Sequence, residues 1–394
     1  MRSHTPSLPL VPFRDDAGRS FGMLSSFPPT ACGIASFSAA LAAGLVANGG
    51  TVDVVRCGPT PDVEDALVLA SLGDSAPRRV AAAIDVLNRT DVAIIQHEYG
   101  IYHGADGDAV LDVLDGVAVP SIVVAHTVVR TPTSHQRIVL EQVCDTVDAV
   151  VVMTDTARAR LLEGFDVEPS KVRLIAHGAA TPLTAPPLAT SQPSGRAPRL
   201  LTWGLLGPGK GIEWAIDALA DLTDLRPRPD YIVAGATHPK VFAHGGESYR
   251  QMLVTRARSS GVAPYVSFDD SYRDLAALMD LIRSADLVVL PYDSVEQVTS
   301  GVLVDAVAAG RPVVSTAFPH AVELLGSGAG LVVPQRDPAA LAAAIRSVIT
   351  DADLADGMAA EARRLAPGLS WNAIAGQYDQ LAGRLIADRE PARA

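Results

Sequence analysis

Lysine is the rarest charged residue in this chain, with only Lys171, Lys210 and Lys240 in 394 residues. Lysine and arginine together number 32 against 44 acidic residues, which gives a formal net charge of −12. No stretch of basic side chains is dense enough to follow a phosphate backbone, so the sequence argues against nucleic-acid binding. A small anionic ligand remains compatible with this charge, because one lysine beside a helix N-terminus makes a locally positive site.

Cysteine is also scarce, and long apolar runs are missing. Cys32, Cys57 and Cys144 are odd in number and have no C-x-x-C spacing, so the sequence predicts neither a disulfide framework nor a zinc site. The first twenty residues contain no signal-peptide run, and no later stretch approaches the ~18 uninterrupted apolar residues of a membrane span. We therefore expect a cytoplasmic protein without a membrane span.

Hydrophobic side chains, by contrast, are plentiful. They make up 48% of the chain against 19% charged residues, which is enough apolar surface for compact cores. Short β-branched runs alternate with longer helical runs, the pattern of βαβ units around a parallel sheet. The predicted strands are Phe21–Ser25, Val52–Arg56, Val92–Gln96, Ser121–Ala125, Ala149–Met153 and Val172–Ile175 in the first half, and Leu200–Trp203, Tyr231–Ala234, Val266–Phe268, Leu287–Leu290, Val313–Thr316 and Leu331–Val333 in the second.

A linker separates the two series of strands. Residues 184–199 are rich in Pro, Ser, Thr and Ala and carry no periodicity. The sequence thus predicts an α/β protein with two Rossmann-like, doubly wound domains facing a cleft, one at residues 1–183 and one at residues 200–370. We expect the helical stretch at residues 371–388 to pack back on the first domain. Ligands of such sheets bind beyond the carboxyl ends of the strands, so the loops there hold the candidate site.

A glycine-rich turn follows the first strand of the second half. Residues 202–213 read TWGLLGPGKGIE, a strand followed by a turn and a helix start. Glycines such as Gly209 let the backbone approach a ligand, and Lys210 at a helix N-terminus favours phosphate. The segment nearly fits a P-loop, but Gly211 stands where Mg²⁺ binding needs Ser or Thr, so an ATPase is rejected. Lys210 is then either a phosphate ligand or a solvated lysine.

A second candidate segment covers residues 291–314, PYDSVEQVTSGVLVDAVAAGRPVV. Thr299 or Ser300 is suited to cap the N-terminus of a helix that ends at Gly310. Free amides at that N-terminus would suit a diphosphate. Asp305 lies one to two turns into the helix, where a carboxylate can accept hydrogen bonds from a ribose diol. Alternatively, Asp305 is an ordinary exposed acidic residue of the helix.

Together these segments resemble the retaining glycosyltransferases of family 4, which have the GT-B fold. That family has a Gly-Arg-Leu-x-x-x-Lys-Gly loop and two glutamates separated by seven residues, followed by Ala-x-Ala-x-Gly-x-Pro-Val-Val. Here Lys210-Gly211 and residues 306–314 match, and Gln297 and Asp305 have the spacing of the two glutamates. The resemblance implies a sugar-nucleotide donor held by the second domain and an acceptor held by the first. The implied donor-site residues are Gly209, Thr299, Ser300, Gly301 and Asp305, with Lys210 and Gln297 at the reacting groups.

The chain departs from the family pattern at three positions. Leu205 stands where an arginine contacts the diphosphate, Gln297 replaces the first glutamate, and Asp305 shortens the second. These substitutions bear on the contacts with the donor sugar more than on the fold.

The loss of the arginine at position 205 suggests that another cation lies near the diphosphate, which carries more than one negative charge. The polar loop at residues 235–250 contains His238 and Arg250, and we expect one of them to fold over the donor. The alternative is that Glu247 begins a helix and that Arg250 pairs with it or faces solvent.

Three loops of the first half carry further candidates. Residues 28–34, PPTACGI, look like the family's glycine-containing loop, whose amide approaches the donor phosphates, so Gly33 is either a donor-binding residue or a turn residue. His126 ends a strand and matches the family histidine that contacts the donor sugar, whereas a lone histidine there is otherwise structural. His97 and Glu98 end another strand on the same side, where they either bind acceptor hydroxyls or form a structural pair.

No Asp-x-Asp pair stands at a strand end as a divalent-metal ligand. We therefore expect no essential metal and no cofactor, with Lys210 and helix amides stabilising the leaving diphosphate. The resemblance implies retaining transfer of a hexosyl group, with GDP-mannose and UDP-glucose as leading donors and a sugar or glycoside as acceptor. The alternatives are a GT-B sugar phosphorylase and a catalytically silent sugar-nucleotide-binding protein. A dehydrogenase is weaker, because a full G-x-G-x-x-G pattern is missing.

Overall fold

The computed structural model describes residues 18–30, 32–58, 65–73, 75–180, 196–271 and 273–389. These residues form two parallel β-sheets, one in each half of the chain, with helices packed against them. The predicted architecture of two Rossmann-like, doubly wound α/β domains is confirmed. Most of the predicted linker, residues 184–199, lies outside the described residues.

The first sheet has seven strands. They are β1 (Ser20–Ser25), β2 (Thr51–Cys57), β3 (Val68–Gly73), β4 (Val92–His97), β5 (Ser121–Ala125), β6 (Ala149–Val152) and β7 (Val172–Leu174). Between them lie α1 (Gly33–Ala47), α2 (Pro77–Leu87), α3 (Val110–Leu114), α4 (Ser134–Thr146) and α5 (Asp155–Gly164). The order across the sheet is β3-β2-β1-β4-β5-β6-β7, so the winding reverses between β1 and β4. A crevice at such a reversal is where doubly wound sheets bind ligands.

Strand β3 is missing from the sequence prediction, which has six strands in this half. It lies at the edge of the sheet, and most of its residues are half-buried or exposed. Its pairing with β2 shifts register twice, between Val54 and Val55 and between Arg56 and Cys57. An edge strand of this kind needs no continuous β-branched run, so periodicity does not reveal it.

The second sheet has six strands, as predicted. They are β8 (Arg199–Trp203), β9 (Asp230–Ala234), β10 (Val266–Asp269), β11 (Leu287–Leu290), β12 (Val313–Thr316) and β13 (Gly330–Val333), in the order β10-β9-β8-β11-β12-β13. Its helices are α6 (Ile212–Ala220), α7 (Pro239–Gly245), α8 (Ser248–Ser259), α9 (Leu275–Ser284), α10 (Gly301–Ala308), α11 (Pro319–Leu325), α12 (Pro338–Thr350) and α13 (Ala352–Leu369). The winding reverses between β8 and β11, so this sheet has its own crevice at the carboxyl ends of those strands.

The last described helix, α14 (Trp371–Arg389), packs against the first domain. Its apolar face joins the cluster formed by α1 and one face of the first sheet, and Arg19 pairs with Asp379 at 2.6 Å on its rim. The members of this face are Ile374, Ala375, Tyr378, Leu381, Ala382 and Leu385. Burial of these side chains ties the end of the chain to the first domain.

The chain crosses between the domains at two places that lie side by side. The amide of Ala179 donates to the carbonyl of Leu369 over 2.7 Å, and the amide of Trp371 donates to the carbonyl of Ala179 over 3.3 Å. We call residues 176–180 and 369–371 the crossing segments. Their mutual hydrogen bonds hold the two crossings against each other.

Within the described ranges, no helix is long and apolar enough to cross a lipid bilayer.

Candidate functional site

The carboxyl-end loops of one sheet meet those of the other. Across the cleft, Nζ of Lys240, after β9, lies 2.8 Å from the point that a Cβ on Gly100, after β4, would occupy. The amide of Arg130, after β5, donates to the carboxylate of Glu296, after β11, over 2.9 Å. The candidate site is therefore the cleft between two facing crevices, where sequence reasoning places it.

Glycines bring three loops of the second domain into contact. Gly235, after β9, has φ of +139°, and a Cβ there would lie 2.0 Å from the carbonyl oxygen of Gly204, after β8. Gly211 has φ of +62°, and a Cβ there would lie 1.8 Å from the carbonyl oxygen of Pro291, after β11. No residue with a side chain fits either contact, so the loop of Lys210 is built against its two neighbours.

Lys210 lies inside this group of loops. Its Nζ is 4.2 Å from the centroid of the fully buried Tyr292 ring, and the carbonyl of Gly209 accepts the amide of Asp293 over 3.1 Å. The face of an aromatic ring attracts an ammonium group without neutralising its charge. The Tyr292 ring thus holds the end of the Lys210 side chain in place, which suits the anionic ligand expected from the sequence.

The N-terminus of α10 faces the crossing segments. Ser300 is the N-cap, and its Oγ accepts the amide of Leu303 over 3.3 Å. A Cβ on Gly301 would lie 2.9 Å from Cε1 of His177, so glycine permits this close approach. Thr299 is the residue before the cap, and among the described residues its buried Oγ1 has no hydrogen-bond partner.

Behind α10, His320 supports the cap. Its Nδ1 accepts the backbone amide of Ser300 over 2.8 Å, so that nitrogen carries no proton. Burial, with a smaller contribution from His177, lowers the pKa of His320 to about 3. Sequence reasoning missed His320, which lies at the start of α11, in the segment after the buried strand β12; its place beyond the carboxyl end of that strand was the available signal.

Asp305 lies on α10 in a partly exposed position. Burial of its carboxyl raises its pKa to about 7, and a hydrogen bond from the backbone amide of Ala180 opposes this shift. The carboxyl group therefore reaches a crossing segment. Its role as a ribose ligand stays a prediction.

Gly33 begins α1 behind the loop that follows β1. Nothing lies within 4 Å of the point that its Cβ would occupy, so packing does not require glycine there. Cys32 caps the helix, because its Sγ accepts the amide of Ala35 over 3.3 Å. The buried Arg56 donates to the carbonyl of Pro28 over 2.8 Å and so supports the preceding turn. Free space at Gly33 is compatible with the predicted approach of a donor phosphate.

His126 lies at the end of β5 beside α1. Its Nε2 shares a hydrogen bond of 2.7 Å with Oε1 of Gln96, and its ring meets the ring of Phe37 edge-on at 4.7 Å. Burial, with His177 and His97 nearby, lowers the pKa of His126 to about 3. His126 is therefore neutral at neutral pH, which suits a hydrogen bond to a sugar hydroxyl.

His97 does not line the cleft as expected for an acceptor ligand. It is fully buried, and within the described part of the chain neither ring nitrogen has a hydrogen-bond partner. Burial lowers its pKa to about 4. Glu98 does not pair with His97 but accepts the amide of Gly100 over 2.8 Å. The structural pair of His97 and Glu98 is thus not formed, and a role of either residue in acceptor binding stays a prediction.

Arg250 pairs with Glu247, which is the alternative given in the sequence analysis. Glu247 precedes α8, and its carboxylate pairs with Nε of Arg250 at 3.3 Å, while Arg250 also donates to the carbonyl of Gly235. The side chain is 14% exposed and its charge is compensated, so the expectation that Arg250 folds over the donor is not supported.

His238 caps α7 instead of extending over the cleft. Its Nδ1 accepts the amide of Lys240 over 3.1 Å. Burial lowers the pKa of His238, and the charges of Lys240 and Lys210 lower it further. The role of His238 as a replacement cation is weakened, because a capping imidazole is unprotonated at the capping nitrogen.

Lys240 is the cation that sequence reasoning missed. Its Nζ lies 2.8 Å, and Oε2 of Glu98 lies 3.0 Å, from the position that a Cβ on Gly100 would occupy. Two of the three lysines of the chain therefore lie at the cleft. The scarcity of lysine was the signal that could have found it.

Within the described residues, no group of three or more His, Cys, Asp and Glu side chains is arranged to hold a metal ion. The metal-free mechanism stays a prediction.

Two family models match the chain, one in each domain. Residues 31–181 match the model described as Glycosyltransferase Family 4, and residues 197–351 match the model described as Glycosyl transferases group 1. Together they account for most of the chain. The protein therefore belongs to the GT-B glycosyltransferases of the family 4 type.

Curated relatives point to the same family. The chain is 29% identical over 272 residues to a D-inositol 3-phosphate glycosyltransferase of Kineococcus radiotolerans. The aligned residues make up 64% of this chain and 61% of that protein. It is 30% identical over 261 residues to the protein of the same name in Corynebacterium jeikeium. Those aligned residues make up 62% of this chain and 59% of the relative. The chain thus matches about three fifths of the length of these relatives.

Solved structures share the fold over nearly the whole chain. Sucrose-phosphate synthase from Thermosynechococcus elongatus has a TM-score of 0.73 at 18% identity and covers 94% of this chain and 100% of its own. HepE from Anabaena in complex with UDP has a TM-score of 0.69 at 17% identity and covers 93% and 100%. At these identities the likeness concerns the fold alone.

Proposed function

We propose that this protein transfers a hexosyl group from a nucleoside-diphosphate sugar to an acceptor hydroxyl with retention of configuration. The observation that carries the proposal is the convergence at one cleft of the Lys210 ammonium and the N-terminus of α10, with Asp305 on the same helix. A cation and free helix amides suit a diphosphate, and a carboxylate suits a ribose diol.

The proposed reaction needs stabilisation of the leaving group above all. The bond between the anomeric carbon and the donor phosphate oxygen breaks, the acceptor oxygen forms a new bond on the same face, and the leaving diphosphate takes the acceptor proton. Lys210 and the amides of α10 oppose the charge that develops on the diphosphate. His126, neutral and held by Gln96, is suited to orient a donor hydroxyl.

Two observations guide the choice of substrates. Structures of HepE from Anabaena with UDP-glucose share this fold, so UDP-glucose stands beside GDP-mannose among the donors to test. The curated relatives carry the name D-inositol 3-phosphate glycosyltransferase, so this cyclitol phosphate belongs among the acceptors. A cytoplasmic location stays part of the proposal.

The test begins with a thermal-shift screen of nucleoside-diphosphate sugars, because a ligand that binds only the folded state raises the unfolding temperature. Hits are incubated with the acceptors, released nucleoside diphosphate is measured, and the anomeric configuration of the product is read by NMR. Inversion would contradict the retaining mechanism. Binding without transfer or donor hydrolysis would favour the silent binding protein, and cleavage dependent on inorganic phosphate would favour the phosphorylase.

A further inference from the structure

The loop that carries Gln297 is held by both domains. We call residues 292–298 the donor loop. Its first part is fixed by its own domain, because Nε2 of Gln335, after β13, donates to the carbonyls of Tyr292 and Ser294 over 3.2 Å each. The second part of the loop takes its contacts from the other side of the cleft.

Arg160, on α5 of the first domain, binds that second part. Its guanidinium donates to the carbonyl of Val295 over 2.9 Å and to the carbonyl and carboxylate of Glu296 over 3.3 and 3.2 Å. On its own domain it donates to the carbonyl of Val128, in the loop that follows His126, over 3.4 Å. Only 14% of the Arg160 side chain is exposed, so water screens these charge-assisted bonds weakly.

The residue after Gln297 is also held by the first domain. Val298 is 2% exposed and belongs to the apolar cluster of that domain, together with Val128. Gln297 therefore lies between Glu296 and Val298, both of which contact the opposite domain. Consecutive Cα atoms are about 3.8 Å apart, so fixing both neighbours leaves the backbone of Gln297 little freedom.

We propose that Arg160 is a positioning residue that gives the donor loop its shape only while the two domains are in contact. This inference rests on the proposed function, in which Gln297 meets the donor sugar. Contact between the domains completes the sugar part of the donor site, whereas the hydrogen bonds of Arg160 do not extend to Lys210 or Asp305 in the nucleotide part. Through Arg160, recognition of the sugar thus depends on contact with the first domain.

The proposal separates two ligands that differ only in the sugar. Arg160→Ala should weaken binding of the sugar nucleotide by about five- to tenfold, the effect of one lost hydrogen bond, with little change for the nucleoside diphosphate. The measurement is calorimetric titration of both ligands into wild-type and variant protein. Transfer kinetics should show a lower kcat/KM for Arg160→Ala than for wild type.

Arg160→Lys and Glu296→Gln keep the test decisive if the alanine variant folds poorly. A lysine keeps the charge but cannot reach the same set of carbonyls, so Arg160→Lys should reproduce most of the selective loss. Combined with Arg160→Ala, Glu296→Gln should add less than its separate effect, because both changes remove the same contact. Circular dichroism verifies that each variant is folded.

Glu323 supplies the matched control. This residue of α11 also joins the domains, because its carboxylate accepts the amides of Asp155 and Thr156, at the start of α5, over 2.8 and 3.1 Å. It binds the same helix as Arg160 does but does not contact the donor loop. Glu323→Gln should leave the affinity ratio of the two ligands unchanged.

Equal losses for the two ligands, or an effect of Glu323→Gln on the ratio as large as that of Arg160→Ala, would overturn the positioning role. An unchanged ratio in a folded Arg160→Ala variant would do the same. If the wild-type protein binds neither ligand, the proposed function fails instead, and the two failures are therefore distinguishable.

Discussion

The carboxyl group of Asp305 accepts a hydrogen bond from the backbone amide of Ala180, in one of the segments that cross between the domains. One side chain of helix α10 is thereby connected to a segment that joins the two domains. Because burial raises the pKa of Asp305 to about 7, its charge changes near neutral pH.

The first prediction follows from that charge. Ribose hydroxyls donate to an ionised carboxylate, so donor affinity should be near its full value at pH 8 and above, and should fall by about tenfold between pH 8 and pH 6 as Asp305 takes up a proton. A sugar nucleotide is the right probe, because its diphosphate is esterified at both ends. Calorimetric titration across this range gives the pH dependence.

Asp305→Asn is the control for this pH dependence. It should bind the donor more weakly at pH 8 and show little further loss at pH 6. A variant with the same pH profile as wild type would assign the titration to another group, and an unchanged affinity at pH 8 would remove Asp305 from the ribose site.

The second prediction concerns acid stability. Burial lowers the pKa of His97 and His177 to about 4 and of His126 and His320 to about 3. Below pH 6.5 the unfolded chain protonates these rings while the folded protein does not, so stability is lost as the pH falls. Asp305 acts oppositely, because its raised pKa lets the folded state bind a proton between about pH 7 and pH 4.

The net uptake on unfolding near pH 5.5 should be about three protons, equivalent to a loss of ~4 kcal/mol of unfolding free energy per pH unit. Urea titrations between pH 7.5 and pH 5 measure this slope. His126→Gln should reduce the slope by about one proton, and Asp305→Asn should increase it by about one. A flat profile across this range would mean that the rings are accessible to water.

The fold was largely predictable because its central strands are continuous apolar runs. Strands such as β4, β5 and β11 are buried along their whole length, so local composition and tertiary burial agree. The edge strand β3 was missed because half-exposed residues leave no such run.

The candidate site was predictable in its loops but not in its side-chain contacts. The helix cap at Ser300 and the turn that carries Lys210 were predictable because both features depend on neighbours in sequence. The contacts of Arg250 and His97 depend on tertiary packing, which local sequence does not decide: Arg250 pairs with Glu247, the alternative given for it, and meets the carbonyl of Gly235, and His97 is covered on all sides. The place of Lys240 in the cleft is recognised only from its contact with Gly100 of the other domain, and local sequence patterns do not reveal contacts between domains.

The third prediction tests Lys210. Lys210→Met should cost at least ~2 kcal/mol of transition-state stabilisation, because the ammonium opposes charge that develops on the leaving diphosphate. Steady-state kinetics give this cost as a lower kcat/KM. Lys210→Arg keeps the charge and the contact with the Tyr292 ring and should retain more activity. Near-normal turnover of the methionine variant would remove Lys210 from the reaction.

The fourth prediction concerns metal ions. If Lys210 and the amides of α10 stabilise the leaving group, transfer should persist in EDTA at a rate close to that without the chelator. Initial rates are compared with EDTA and with added Mg²⁺ or Mn²⁺. An absolute requirement for either ion would contradict the metal-free mechanism.

The last prediction identifies the cation that compensates for Leu205. The diphosphate of the proposed donor carries more than one negative charge, so Lys210 alone would oppose it incompletely. Arg250 is engaged with Glu247, and His238 caps α7, whereas the ammonium of Lys240 extends across the cleft to Gly100. Lys240 is therefore the expected second cation.

Lys240→Met should raise the Michaelis constant for the donor or lower kcat/KM by about tenfold, the effect of one charged hydrogen bond in a partly exposed site. Leu205→Arg, which restores the family arginine, should recover much of this loss in the Lys240→Met background. His238→Ala and Arg250→Ala should have smaller effects on the donor, although Arg250→Ala is expected to lower stability through its lost pairing with Glu247. If Lys240→Met leaves kinetics with the donor unchanged, or if Leu205→Arg rescues Arg250→Ala instead, Lys240 does not replace the arginine. A loss seen only with a charged acceptor, at an unchanged Michaelis constant for the donor, would place Lys240 beside Glu98 as an acceptor ligand instead.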